Sequence, residues 1–220
     1  MVKTKDIVRE KVKKAISNNN TANKHEHYYT EEPESDLVIG SFSYAHNNHE
    51  YVFNTSSGVF GKRKADKGTM LLLSSVPDLN NKTVLDLGCG IGIVAIVLSK
   101  NYPKGVFHAS DINKRAVMLT KKNAKNNNAR VIVHYSDGLE RINTVFDVIL
   151  LNPPQSAGKD VCNNLIRESY DGLNKGGSLL LVARKNKGGR SLSDYMESLF
   201  GNCSSIAIKS GYHVYKSVKE

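Results

Sequence analysis

Three carboxylates fall at the ends of three short apolar runs: Asp86 in Val84-Leu85-Asp86-Leu87, Asp111 after Ala109-Ser110, and Asp137 between Ser136 and Gly138. One such acid is ordinarily a turn or helix-cap residue. Acids at the ends of three successive strands of one sheet argue for a site built from them. The first run opens into Gly88-Cys89-Gly90-Ile91-Gly92. Glycine at alternate positions admits φ/ψ values that a Cβ forbids and lets the backbone approach a ligand closely. A helix starting near Ile91 would aim its free N–H groups and positive dipole end at that ligand. A fourth run, Phe146 to Leu151, stops at Asn152-Pro153-Pro154. The prolines fix φ and remove backbone donors, leaving carbonyls to accept. The Asn152 side-chain oxygen and the Pro153 carbonyl can together receive both hydrogens of a planar amine, which localises its lone pair toward an electrophile without a strong base.

The spacing narrows the ligand. Dinucleotide enzymes favour GxGxxG, whereas Gly88-x-Gly90-x-Gly92 differs and has Asp86 two residues ahead of it. An acid there repels a pyrophosphate and suits the ammonium and sulfonium of S-adenosyl-L-methionine (AdoMet). Asp111, with Ile112 beside it, stands where an acid accepts from ribose hydroxyls. Asp137 is placed to accept from an adenine amino group. A dehydrogenase is disfavoured on the same grounds.

These residues need a parallel sheet to converge. Strands are legible at 83–87, 106–110, 130–135, 146–151 and 178–183, with helices near 91–101, 112–127, 159–173 and 190–200. Such alternation predicts a doubly covered parallel sheet, with its ligand at the carboxyl ends of the strands. Ser204 to Ile208 and Tyr212 to Tyr215, joined at Ser210-Gly211, predict a C-terminal antiparallel hairpin. The fold class is therefore α/β and Rossmann-like, with a seven-stranded, mostly parallel sheet and helices on both faces. Upstream, Leu37-Val38-Ile39, Tyr51-Val52-Phe53 and Val59-Phe60 suggest short strands, and a helix follows from about Lys67 to Ser75. Residues 1–24 form a basic arm; 25–220 form the domain, with 25–76 as a cover over a core at 77–220.

The 220 residues suffice for one substantial core. The net charge of +10 points to a polyanionic partner. Seven basic groups in residues 1–24, against Asp6 and Glu10, supply half of it. Three cysteines without CxxC spacing favour a reduced, cytoplasmic setting. No apolar run approaches a bilayer span, and the seven histidines form no ligand set, so neither membrane nor metal is expected. The expected assembly is a monomer or weak dimer.

From about residue 25 to 220 the chain resembles the class I AdoMet-dependent methyltransferases. More narrowly it resembles the "methyltransferase small" family, which includes ribosomal RNA guanine-N2 methyltransferases of the bacterial small subunit and single-domain archaeal relatives. The resemblance rests on His27-Tyr28-Tyr29 with Glu32-Pro33, Gly58-Val59-Phe60, Asp66-Lys67-Gly68-Thr69, Asp86 to Gly92, Asp111, and Asn152-Pro153-Pro154. It implies that Gly68 and Thr69 cover the methionine end of AdoMet, that Asp86, Gly88, Cys89 and Gly90 line its cleft, and that Asp111, Ile112 and Asp137 hold its adenosine. It also implies catalysis by Asn152, Pro153 and Pro154.

One residue departs from the pattern. Many Asn-Pro-Pro enzymes continue with an aromatic residue or histidine that stacks on the target, and here Gln155 follows. It can hydrogen-bond a base edge but offers no stacking platform, which leaves both exocyclic N2 and ring N7 of guanine open as target atoms. In this architecture the loop after the fifth parallel strand borders the reaction site. That loop carries Arg184, Lys185, Lys187 and Arg190, and Lys62-Arg63-Lys64 precedes the covering helix. With the arm they make an RNA phosphate track. The expected activity is methylation of guanine in structured rRNA or tRNA. The alternatives are a glutamine-N5 methyltransferase of the release-factor type and a non-catalytic RNA-binding module.

Overall fold

The structure, a computed structural model, describes residues 39–59 and 65–220. The basic arm, His27-Tyr28-Tyr29, Glu32-Pro33 and Lys62-Arg63-Lys64 lie outside the described residues.

The first elements form a hairpin, β1 (Ile39–His46) and β2 (His49–Ser56). Asn47 and Asn48 turn it with φ of 46° and 61°, the left-handed pair that a tight two-residue turn requires. Phe42 faces Phe53 and Tyr44 faces Tyr51 across the ladder. The strands are longer than the apolar triplets suggested, and Val59 is buried without joining one. The short helix α1 (Lys67–Leu73) follows, with Asp66 as its N-cap.

The main sheet contains β3 (Thr83–Leu87), β4 (Val106–Asp111), β5 (Ile132–Tyr135), β6 (Phe146–Leu151), β7 (Leu173–Arg184), β8 (Ser204–Lys209) and β9 (Tyr212–Val218). Its order is β5-β4-β3-β6-β7-β9-β8. Strands β3 to β7 run parallel, and β9 and β8 complete the sheet antiparallel. β7 begins earlier than expected because Leu173 already pairs with Phe146, ahead of a register shift. The order of strand addition reverses between the parallel neighbours β3 and β6, the crevice where open α/β sheets take ligands.

Alternation along the central strands assigns the two faces. Val84, Phe107, Val148, Leu150, Leu180 and Val182 pack toward α1, α2 (Ile93–Asn101), α3 (Lys114–Asn126) and the hairpin. Leu85, Leu87, Ile149, Leu151, Leu179 and Leu181 pack toward α4 (Lys159–Gly172) and α5 (Arg190–Phe200). Ile93 to Leu98 are all buried, as an all-round apolar helix between a sheet and further elements should be. Each large aliphatic side chain there contributes about 1.5–3 kcal/mol of burial. Among the described residues, no helix is long and apolar enough to cross a membrane.

Candidate active site

The carboxyl ends of β3, β4, β5 and β6 open onto one cavity of about 430 Å³. Its wall includes Gly88, Gly90, Asp111, Ile112, Asp137 and, at the other end, Asn152. The sheet brings these together because all four strands run parallel and end at one level: Leu87 is level with both Ser110 and Leu151, and Asp111 with Tyr135.

Gly88 has φ of 70° and nothing within 4 Å of where a Cβ would stand. A side chain there would enter the cavity, so the bare backbone itself forms that part of the wall. Gly92 serves differently: its φ is 84°, and a Cβ would meet Thr120 Cγ2 at 2.7 Å. It lets α2 start against α3.

Asp111 is clamped by main-chain donors. Its Oδ2 accepts from the Gly90 N–H at 2.8 Å and its Oδ1 from the Asn113 N–H at 2.9 Å. Burial lifts its pKa to about 6, and the N–H groups of Asn113, Gly90 and Ile112 hold it from rising further. One lone-pair site remains on the carboxylate for a ligand. Ser110, in the same wall, has a buried hydroxyl with no partner among the described residues.

Asp86 is placed otherwise than the cation-facing role suggests. It is 5% exposed and stands behind the cavity wall, where its Oδ2 accepts from the Ala95 N–H in the first turn of α2 at 3.1 Å. Burial raises its pKa to about 7, opposed by the Ala95 bond and reinforced by Asp111. Its side chain therefore caps a helix that lacks a side-chain cap of its own. Cys89 is likewise turned inward, its Sγ 3.6 Å from Thr120 Oγ1. Burial pushes its thiol well up, with Asp111 and Asp86 adding to the effect.

At the far end, Asn152 Nδ2 lies 3.1 Å from Thr69 Oγ1 and 3.4 Å from Asp66 Oδ2. Asp66 is in the cavity wall, whereas Gly68 and Thr69 are buried behind it. Pro153, Pro154 and Gln155 complete that wall. The Pro153 carbonyl is not wholly free, because it accepts the Gln155 N–H at 2.8 Å; one lone pair remains. The Gln155 side chain donates through Nε2 to Lys187 O at 2.7 Å and accepts from Arg184 N at 3.4 Å. It thus ties the basic loop to the site instead of pointing a base-reading edge inward. Arg184, Lys185, Lys187 and Arg190 are all exposed on that loop. The Arg184 guanidinium lies over the Tyr212 ring, 5.0 Å from its centroid, and Tyr212 lines the cavity.

Residues 50–216 match the family model of the methyltransferase small domain. The chain belongs to this family. Membership makes AdoMet its methyl donor. The protein YbxB of Bacillus subtilis is 34% identical over 199 residues, covering 88% of this chain and 98% of that protein. Ribosomal RNA small subunit methyltransferase C of Shewanella amazonensis is 34% identical, covering 74% of this chain and 48% of its own length. Among solved structures, the T. thermophilus 16S rRNA N2 methyltransferase RsmC, in complex with AdoMet and guanosine, superposes with a TM-score of 0.75 at 25% identity, covering 86% of this chain and 52% of that one. This methyltransferase-family chain therefore spans about half the length of the curated ribosomal relatives it matches.

The cavity fits the family's donor on its own geometry: an uncovered glycine backbone, an unpartnered Ser110 hydroxyl and carboxylates with free lone pairs. Asp66, which opens the motif Asp66-Lys67-Gly68-Thr69, and Tyr212 are wall residues to which the motifs assign no role. Asp66 had a signal, a carboxylate at the N-cap position three residues before Thr69. Tyr212 had none, since it arrives through β9 pairing with β7 opposite Arg184. Among the described residues, no group of three or more His, Cys, Asp or Glu is placed to hold a metal.

Proposed function

We propose that this chain transfers the AdoMet methyl group to the exocyclic N2 of a guanine in small-subunit ribosomal RNA. The observation that carries the reading is the placement of Asn152 in one cavity with Asp111 and Asp137, beside an exposed loop of four cations tied in place by Gln155. Asp111 and Asp137 would accept from the ribose and adenine of the cofactor, over the bare backbone at Gly88 and Gly90. AdoMet supplies an electrophilic methyl on a sulfonium. Asn152 Oδ1 and the remaining lone pair of Pro153 O would accept the two amine hydrogens and hold the nitrogen lone pair in line. Within the described residues, the β1–β2 hairpin and α1 serve as a cover over the core at 77–220. The ribosomal relatives' names support rRNA over tRNA as the acceptor.

Methyl-labelled AdoMet, incubated with small ribosomal subunits, naked 16S rRNA, tRNA and release factor, tests this. N2-methylguanosine in digested rRNA is the expected product. Label confined to protein, to tRNA or to N7 of guanine would overturn the reading.

A further inference from the structure

We infer that Asp66 and Thr69 form a hydrogen-bond relay that decides which way the Asn152 amide faces, and so which acceptor atoms the site accepts. The inference deepens the proposed function and rests on that reading for its substrate.

The relay follows from counting protons. Both Asp66 oxygens are acceptors when the carboxyl is ionised. Oδ1 accepts from the Gly68 N–H at 2.8 Å and the Thr69 N–H at 3.2 Å. Oδ2 accepts from the Thr69 hydroxyl. A hydroxyl has one proton to donate, and Thr69 spends it on Asp66. Toward Asn152, Thr69 Oγ1 therefore presents lone pairs only, at 3.1 Å. Asp66 Oδ2, 3.4 Å from the same atom, presents lone pairs as well. Two acceptors converge on one end of the amide, so that end must be the NH2 group. The orientation thus follows from the chemistry of the neighbours, where an amide alone would be ambiguous.

With Nδ2 held on the α1 side, Oδ1 is the atom that Asn152 has left for the cavity it lines. An amide oxygen rewards an acceptor bearing N–H. It offers nothing to a ring nitrogen that presents only a lone pair, such as N7 of guanine. The relay thereby selects amines. Thr69 is 4% exposed and acts through Asn152, as a positioning residue.

Thr69→Val keeps the shape and removes the hydroxyl, and Thr69→Ser restores it. Asp66→Asn can still cap α1 through its amide oxygen but offers Thr69 a donor, which turns the relay round. We expect kcat to fall about tenfold to a hundredfold in Thr69→Val and in Asp66→Asn, the scale of a lost buried hydrogen-bond partner. Thr69→Ser should recover most of the rate. In the protein without RNA, the Asn152 side-chain NH2 resonances should move in Thr69→Val and Asp66→Asn and stay near their wild-type positions in Thr69→Ser. Unmoved Asn152 resonances in both disruptive variants would overturn the relay, whether or not AdoMet affinity fell. A wild-type protein that leaves RNA unlabelled would overturn the RNA reading instead, while the resonances still decide the relay.

Discussion

At the carboxylate end of the cavity, Asp111 is clamped by the N–H groups of Gly90 and Asn113, 21 and 2 residues away in sequence. At the amide end, Asn152 meets Thr69 and Asp66, which are 83 and 86 residues away. One end is held by main chain in adjoining strand–turn–helix segments, the other by side chains from a helix laid across the sheet. Main-chain clamps persist whatever the neighbouring side chains are. The side-chain end can be retuned by a single substitution, which suits the part of a site that must recognise an acceptor.

Separate construction of the ends predicts separate failures. The largest effect is expected from Asn152→Ala, which removes a preorganised group at the reacting nitrogen; loss of such a group costs about 10²–10³ in rate. AdoMet affinity, read by calorimetry, should survive, and its collapse would show that the ends are not independent.

Asp111→Asn should do the converse: raise the KM for AdoMet about tenfold, the scale of a charged hydrogen bond, with the rate recovered at saturating cofactor. The same carboxylate predicts a pH dependence. Burial raises the pKa of Asp111 to about 6 and of Asp86 to about 7, so the folded state binds these protons more tightly than the unfolded chain. Their effect is to make the ligand-free protein more stable as pH falls from about 7 toward 4, and less stable as it rises through that window. AdoMet affinity should weaken over the same fall in pH as Asp111 is protonated. Melting curves with and without AdoMet should therefore converge on acidification, and parallel curves would break the assignment of Asp111 to the cofactor.

Gln155→Ala is the smallest change. It releases the loop after β7 from two neutral hydrogen bonds, so the KM for RNA should rise about threefold to tenfold with kcat and AdoMet affinity intact. An unchanged KM would mean that Gln155 does not position the cations for RNA.

The same division explains what could be read from the sequence. The glycine turn, the acids at 111 and 137 and the Asn-Pro-Pro stop are short segments whose chemistry is visible in order, and the strand alternation placed them on one edge. Asp86 misled because its direction depends on α2, whose unsatisfied Ala95 N–H claims the carboxylate. Gln155 looked like a base reader because its real partner, Lys187 O, lies 32 residues on. Tyr212 was invisible because only the β7–β9 ladder brings it to the cavity. The first hairpin is hard to read for another reason. Phe42 and Tyr44 alternate with exposed Ser41 and Ser43, a period-2 pattern weaker than the contiguous apolar triplets, which suggest only separate short strands.

The sheet order bears on how the molecule is made. β9 lies between β7 and β8, so β8 has no ladder partner until the strand that follows it has been synthesised. That same strand brings Tyr212 to the cavity, whose wall also includes Asp66 from the start of α1. A nascent chain that has already laid down the glycine turn and Asn152 still has an open-sided cleft. Competence is conferred late, by long-range strand pairing of the kind that slows folding.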